Sequence, residues 1–140
     1  MSQILQPRKT RYKKAQKGNL QKKLTYRKGS SVFRGGVIHL IACERRRLSS
    51  RQIEAARIAL NRKLKNKFLI QVFPNVPITK KPNEVRMGQG KGSVIRWIFR
   101  IRPNRIIFSI PFNNIDINPI LFQRLHSASH KLPFITKIIY

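Results

Sequence analysis

Four carboxylate side chains, Glu44, Glu54, Glu84 and Asp116, stand against 31 Lys and Arg in a chain of 140 residues, a formal net charge of +27. No arrangement of these residues neutralises even one face of a domain. A free globular protein so charged repels itself, so cations must lie outermost and a dense polyanion must meet them. Nucleic acid fits this demand better than an anionic membrane surface, which calls for an amphipathic helix with Lys and Arg on its polar side and little else. Each phosphate neutralised releases condensed counterion, and about ten such contacts cost roughly three to five decades of affinity between ~50 and ~200 mM salt. A core can still form, because 41% of the residues are hydrophobic. The length suits one domain. Cys43 is the single cysteine, which excludes an intramolecular disulfide and a four-cysteine zinc site and fits a reducing compartment. No apolar run approaches the roughly 18 residues of a membrane span, and residues 1–30 lack the apolar stretch of a secretory signal. Ile, Lys, Asn and Phe are abundant, a usage that A/T-rich codons favour and that points to an organellar or A/T-rich genome.

The charge is unevenly placed. Residues 1–30 hold ten Lys or Arg and no acid, whereas residues 103–140 hold four. The first segment has scattered apolar residues and is interrupted by Pro7 and Gly18, so it cannot offset its own ordering entropy. It reads as an extended basic arm that orders on RNA. A mitochondrial transit peptide is the rival, but the arm is Lys-rich, Ser-poor and has no apolar helical face. Residues 31–140 read as one globular domain. Within it, 36–43 reads as a buried strand followed by the basic knot Arg45, Arg46 and Arg47. Residues 49–65 read as a helix, with Ser49 and Gln52 as a capping box, Leu48 and Ile53 as its staple, and Ile53, Ala56, Leu60 and Leu64 as an inner stripe. Residues 67–73 read as a strand stopped by Pro74. Residues 94–102 alternate, with Ile95, Trp97, Phe99 and Ile101 inward and Arg96, Arg100 and Arg102 outward. Pro103 and Asn104 then predict a turn, with Arg105 to Ile110 as the second arm of a hairpin. Asn118 and Pro119 open a second helix lined by Leu121, Leu125, Ala128 and Leu132. A last strand runs from Phe134 to Ile139.

Residues 74–93 show no element of their own, and loops this long inside a small domain are usually functional or disordered. Gly88, Gly90 and Gly92 permit close backbone approach, and their N–H groups, with Arg86 and Lys91 beside them, suit a phosphate chain. The stretch is neither a Walker A loop nor a dinucleotide fingerprint, and it precedes a strand instead of a helix. No pair of carboxylates is placed for acid–base work. His126 and His130 have metal-capable spacing but lack the glutamate of a zinc-protease motif, and read as surface histidines. The sequence therefore predicts no enzyme, no cofactor and no metal centre.

Four stretches carry a resemblance: Leu5-Gln-Pro-Arg-Lys-Thr-Arg-Tyr12 with Lys17 and Gly18; Leu48-Ser-Ser-Arg-Gln-Ile-Glu-Ala-Ala-Arg57; Phe73 to Pro82 leading into Glu84-Val-Arg-Met-Gly-Gln-Gly-Lys-Gly92; and His130-Lys-Leu-Pro133 with the closing strand. In this order, over nearly the whole chain, the sequence resembles large-subunit ribosomal protein sixteen in its bacterial and organellar form. The resemblance implies an α+β fold, a small mixed or antiparallel sheet with two helices in a hammerhead-like arrangement, preceded by the arm. It implies a non-catalytic, late-assembling constituent of the large ribosomal subunit that binds rRNA near the peptidyl transferase centre beside the A-site and P-site tRNAs, among neighbouring ribosomal proteins. Carried over by position, the rRNA contacts are Arg8, Lys9, Arg11, Lys13, Lys14, Lys17, Arg51, Arg57, Lys81 and Lys91. The tRNA-facing loop is Arg86, Met87, Gly88, Gln89, Gly90, Lys91 and Gly92. The chain departs from the family at Gln89, where a basic or small residue is common. It also lacks the usual glycine at Pro103-Asn104 and the usual acidic and glycine residues from Ser109 to Asn113, and residues 19–47 align poorly. The family's first motif begins so near residue 1 that no cleaved presequence is expected. With the residue usage, this points to a mitochondrial ribosome, with a plastid or bacterial cytoplasm as the alternative. Other classes are a free cationic nucleic-acid packager, which leaves the glycine-spaced loop without a role, and an RNA-modifying enzyme, which lacks its chemistry.

Overall fold

A computed structural model describes residues 5–16, 36–64, 67–111 and 119–139. In chain order the elements are β1 (Val37–Ala42), β2 (Arg47–Ser49), α1 (Ser50–Leu64), β3 (Leu69–Ile70), β4 (Val76–Lys80), β5 (Ser93–Arg100), β6 (Ile106–Pro111), α2 (Pro119–Ser129) and β7 (Thr136–Ile139). This is the expected α+β class, but the strands form two antiparallel sheets instead of one. A four-stranded sheet has the order β3-β6-β1-β7, and a three-stranded sheet the order β2-β5-β4.

The expected hairpin between β5 and β6 does not form, because these strands belong to different sheets. The turn itself is present: Asn104 has φ +60°, in the left-handed region Asn tolerates, and Arg105 N–H donates to the Arg102 carbonyl at 3.3 Å. The flanking backbone is already engaged. Asn104 N–H donates to the Ala42 carbonyl at 2.7 Å, Ala42 N–H to the Arg105 carbonyl at 3.0 Å, and Ile101 N–H to the Arg46 carbonyl at 2.9 Å. The link from β1 to β2 therefore runs beside the link from β5 to β6, bonded to it at both ends where each passes from one sheet to the other.

Two more expectations change. Residues 76–80, expected to be loop, form β4 and pair with β5. Pro77 lies within it opposite Trp97, as an edge strand permits because its outer side needs no ladder donor. The strand expected over 67–73 shrinks to Leu69–Ile70. Along β5 the alternation is also less regular than expected: Ile95 is exposed, while Ile98, on the arginine side, is buried between β2 and β4.

One core holds the two helices and both sheets. Ile53, Ala56 and Leu60 of α1 and Leu121, Leu125 and Ala128 of α2 pack with Ile38, Leu40, Ile107 and Phe108 of the larger sheet and with Leu48 and Ile101 at the corner. Phe68 meets Phe108 edge to face, with centroids 6.0 Å apart. The predicted cap of α1 is present and reciprocal. Gln52 N–H donates to Ser49 Oγ at 3.4 Å, and Ser49 N–H donates to Gln52 Oε1 at 2.9 Å. The first turn of α1 has no acidic residue, so neutral Ser and Gln supply what carboxylates often supply. The cap of α2 at Asn118 lies outside the described residues.

A polar line runs across the larger sheet from exposed Gln71 to buried Ser109 and His39. His39 Nδ1 lies 3.0 Å from Ser109 Oγ, its register partner on β6, and Gln71 Nε2 donates to the same oxygen at 2.6 Å. Burial holds the His39 imidazole below its ordinary pKa.

Two outcomes follow. Replacing Ser49→Ala should lower unfolding free energy by about 0.5–2 kcal/mol, read by equilibrium denaturation, and a change within error would mean the cap is idle. For His39, the unfolded chain takes up a proton before the folded one. Stability is thus complete above about pH 6.5 and falls as pH drops through that value toward the folded pKa. Urea midpoints at pH 7.5 and 5.5 should show this loss, and His39→Gln should flatten it.

Candidate nucleic-acid interface

The β4–β5 hairpin opens into a loop, residues 81–92, that leaves the smaller sheet. Its base is closed by Gly92. A Cβ there would stand 2.4 Å from the Lys80 carbonyl oxygen and 2.8 Å from the Lys81 nitrogen, so the two stems approach at a distance only glycine allows. Near the tip, Gly88, Gln89 and Gly90 all have positive φ, +109°, +51° and +81°. At Gly88 and Gly90 the space is open, so backbone conformation and not crowding requires glycine. Lys81 Nζ donates to the Gly88 carbonyl and folds the stem toward the tip. Arg86 and Gln89 stay in solvent, and Met87 is 98% exposed. An exposed methionine between Arg86 and Gly88 offers an adaptable apolar contact beside the cations.

The described part of the arm, residues 5–16, lies along the domain. Leu5 packs against the core from outside, and with Gln6 it lines an open groove on α1 formed by Ser50, Arg51, Glu54 and Ile58. Arg8, Lys9, Arg11, Lys13 and Lys14 are all exposed, and the Arg11 guanidinium sits 5.4 Å from the Tyr12 ring centre. The arm then meets the loop. Lys14 Nζ donates to the Lys91 carbonyl, and Lys91 Nζ donates to the Ala15 carbonyl. Arg100 Nη2 of β5 donates to the Gln16 carbonyl at 3.4 Å. Arm and loop, more than 70 residues apart in sequence, thus form one continuous cationic surface.

The predicted contacts divide accordingly. Arg8, Lys9, Arg11, Lys13, Lys14, Lys81, Lys91 and the tip from Arg86 to Gly92 belong to the arm or the loop, and Arg51 is exposed where the arm begins. Lys17 lies outside the described residues. Arg57 goes elsewhere: its guanidinium grips Glu54 through two bonds, 2.9 and 2.7 Å. That hydrogen-bonded pairing holds the Glu54 carboxyl below the usual carboxylate range and raises Arg57. Sequence reasoning did not find Arg47 and Arg100 as a unit. They are register partners on β2 and β5, and like charges directly opposite are destabilising. Their only sequence signal was the basic knot at 45–47 and the alternation of β5.

Only two ion pairs occur among the described residues, Arg57–Glu54 and Arg46–Glu44 at 3.6 Å. Among these residues no helix is long and apolar enough to cross a membrane.

Residues 7–139 match the family described as ribosomal protein L16p/L10e. The large ribosomal subunit protein uL16 of Erythrobacter litoralis (strain HTCC2594) is 42% identical over 138 residues, covering 97% of this chain and 92% of the relative. That of Hyphomonas neptunium (strain ATCC 15444) is 44% identical over 138 residues, covering 97% and 96%. The match runs through residues 19–47, where the motifs alone gave little. The family suggested by the four sequence stretches is thereby borne out, and the chain belongs to the ribosomal protein L16p/L10e family.

Proposed function

We propose that this protein is a non-catalytic structural constituent of the large ribosomal subunit, held to large-subunit rRNA by its basic arm and presenting the loop at 86–92 to A-site and P-site tRNA during translation. The observation that carries this is the junction of arm and loop through Lys14 and Lys91. Cations that a globular protein has no internal use for are gathered into one track, exposed along the arm and the loop. Family membership supplies the assembly, since the relatives are large-subunit proteins by name.

In this reading residues 1–30 form the arm and residues 31–140 the domain. Lys81, Arg86 and Lys91 supply charge, while Gly88, Gly90 and Gly92 let backbone approach phosphate closely. Arg51 and the arm cations position the chain on rRNA; the loop acts late in assembly, when the tRNA sites take shape. Neighbouring ribosomal proteins complete its surroundings. The abundance of Ile, Lys, Asn and Phe favours a mitochondrial ribosome, with a plastid or a bacterium as the alternative.

Sucrose-gradient sedimentation tests the assignment. The tagged chain should travel with large subunits and remain there in moderate salt; recovery only with nucleoid DNA would mean a packager instead. Binding to a large-subunit rRNA fragment across a salt series tests the partition of residues. Lys91→Ala should weaken binding and reduce the slope of log K against log salt by about 1. Arg57→Ala should leave that slope unchanged and lower stability. A slope that falls equally in both would place Arg57 on the RNA.

A further inference from the structure

His126 and His130 lie one turn apart on the exposed face and end of α2. Their Nε2 atoms are 3.0 Å apart, with the rings nearly perpendicular at 80°. The opposite face of α2 is anchored in the core by Leu121, Leu125 and Ala128. His130 N–H and Ser129 Oγ both donate to the His126 carbonyl, at 3.2 and 2.7 Å. The turn that carries the two rings is therefore fixed from both sides.

Two convergent ring nitrogens at this separation have the bite of a chelate. With metal–nitrogen bonds of about 2.0–2.1 Å, a 3.0 Å separation subtends roughly 90° at the metal. That is the cis angle of a square-planar or octahedral ion; a tetrahedral ion needs the nitrogens a few tenths of an ångström farther apart. The end of a helix also favours a cation, although exposed Lys131 next in sequence opposes one.

We propose that His126 and His130 form a two-imidazole surface site for a divalent transition-metal ion of the copper or nickel type, with water in the remaining positions. In the metal-free pair one Nε2–H donates to the other Nε2. On coordination that ring carries its proton on Nδ1 instead, so both Nε2 lone pairs face the metal and no proton leaves a neutral pair. No group of three or more His, Cys, Asp or Glu suited to a metal is present among the described residues. The site is accordingly an open chelate and not a structural centre. The helical spacing gave the possibility; the convergence of the rings makes the case.

The test uses the full chain carrying Cys43→Ser, which removes the exposed thiol, titrated with copper(II) chloride in a non-coordinating buffer. Electron paramagnetic resonance should show one bound ion with splitting from two imidazole nitrogens. His126→Gln and His130→Gln should each lower affinity roughly tenfold or more and leave a single imidazole, and the double variant should lose the signal. Gln keeps high helix propensity, and the two-nitrogen pattern of the parent is read without any variant. The chain has one other histidine, His39, so His39→Gln should leave the signal intact. Single variants that bind as tightly as the parent, or a parent spectrum without two imidazoles, would overturn the site.

Discussion

Two unit charges 4 Å apart in water repel by about 1 kcal/mol, and in this chain 31 cations meet four carboxylates. Everything else in the structure is arranged around that repulsion. Apolar residues are drawn into one core that joins both helices to both sheets, and the cations are left on the arm, the loop and the outer side of β5. Arg47 opposite Arg100 on β2 and β5 is the sharpest instance of like charges placed side by side. Two of the acids hold local contacts, Glu54 on Arg57 and Glu44 beside Arg46, and the cap of α1 is built from neutral side chains.

The corner between the two sheets converts this separation into a site. Because the β1–β2 and β5–β6 links bond to each other, the smaller sheet projects from the larger one. The β4–β5 hairpin carries its loop out from that projecting sheet. The arm, packed at Leu5 against the core, passes over the same region and meets Lys91 and Arg100. A rigid scaffold thus positions backbone that has little core of its own, the usual division between a binding loop and its support.

The pairing of buried His39 and Ser109, extended to exposed Gln71, illustrates the cost of polar groups inside this fold. Each member has a partner, which is what keeps such a line tolerable in a low-dielectric interior. The neutral imidazole it favours makes the larger sheet sensitive to acid, whereas the paired histidines of α2 face solvent and answer to different chemistry.

The sequence by itself determined the charge imbalance, the family, both helices with most of their inner stripes, the Ser49–Gln52 cap and the glycine spacing of the loop. These are local or compositional matters: charge counts, helical period and capping chemistry need no distant contact. Tertiary structure alone decided which strands pair. The turn at Pro103-Asn104 is local, but the partner of β6 is β1 because the backbone of Ala42 takes up Asn104 and Arg105. It decided that 76–80 is a strand, since an edge position excuses Pro77 in a way no local pattern reveals. It also sent the Arg57 fork to Glu54 and brought Lys14 to Lys91 across 77 residues. Pairing and salt-bridge choice depend on what the folded chain places opposite each group, and that information lies far along the sequence from the residues it governs.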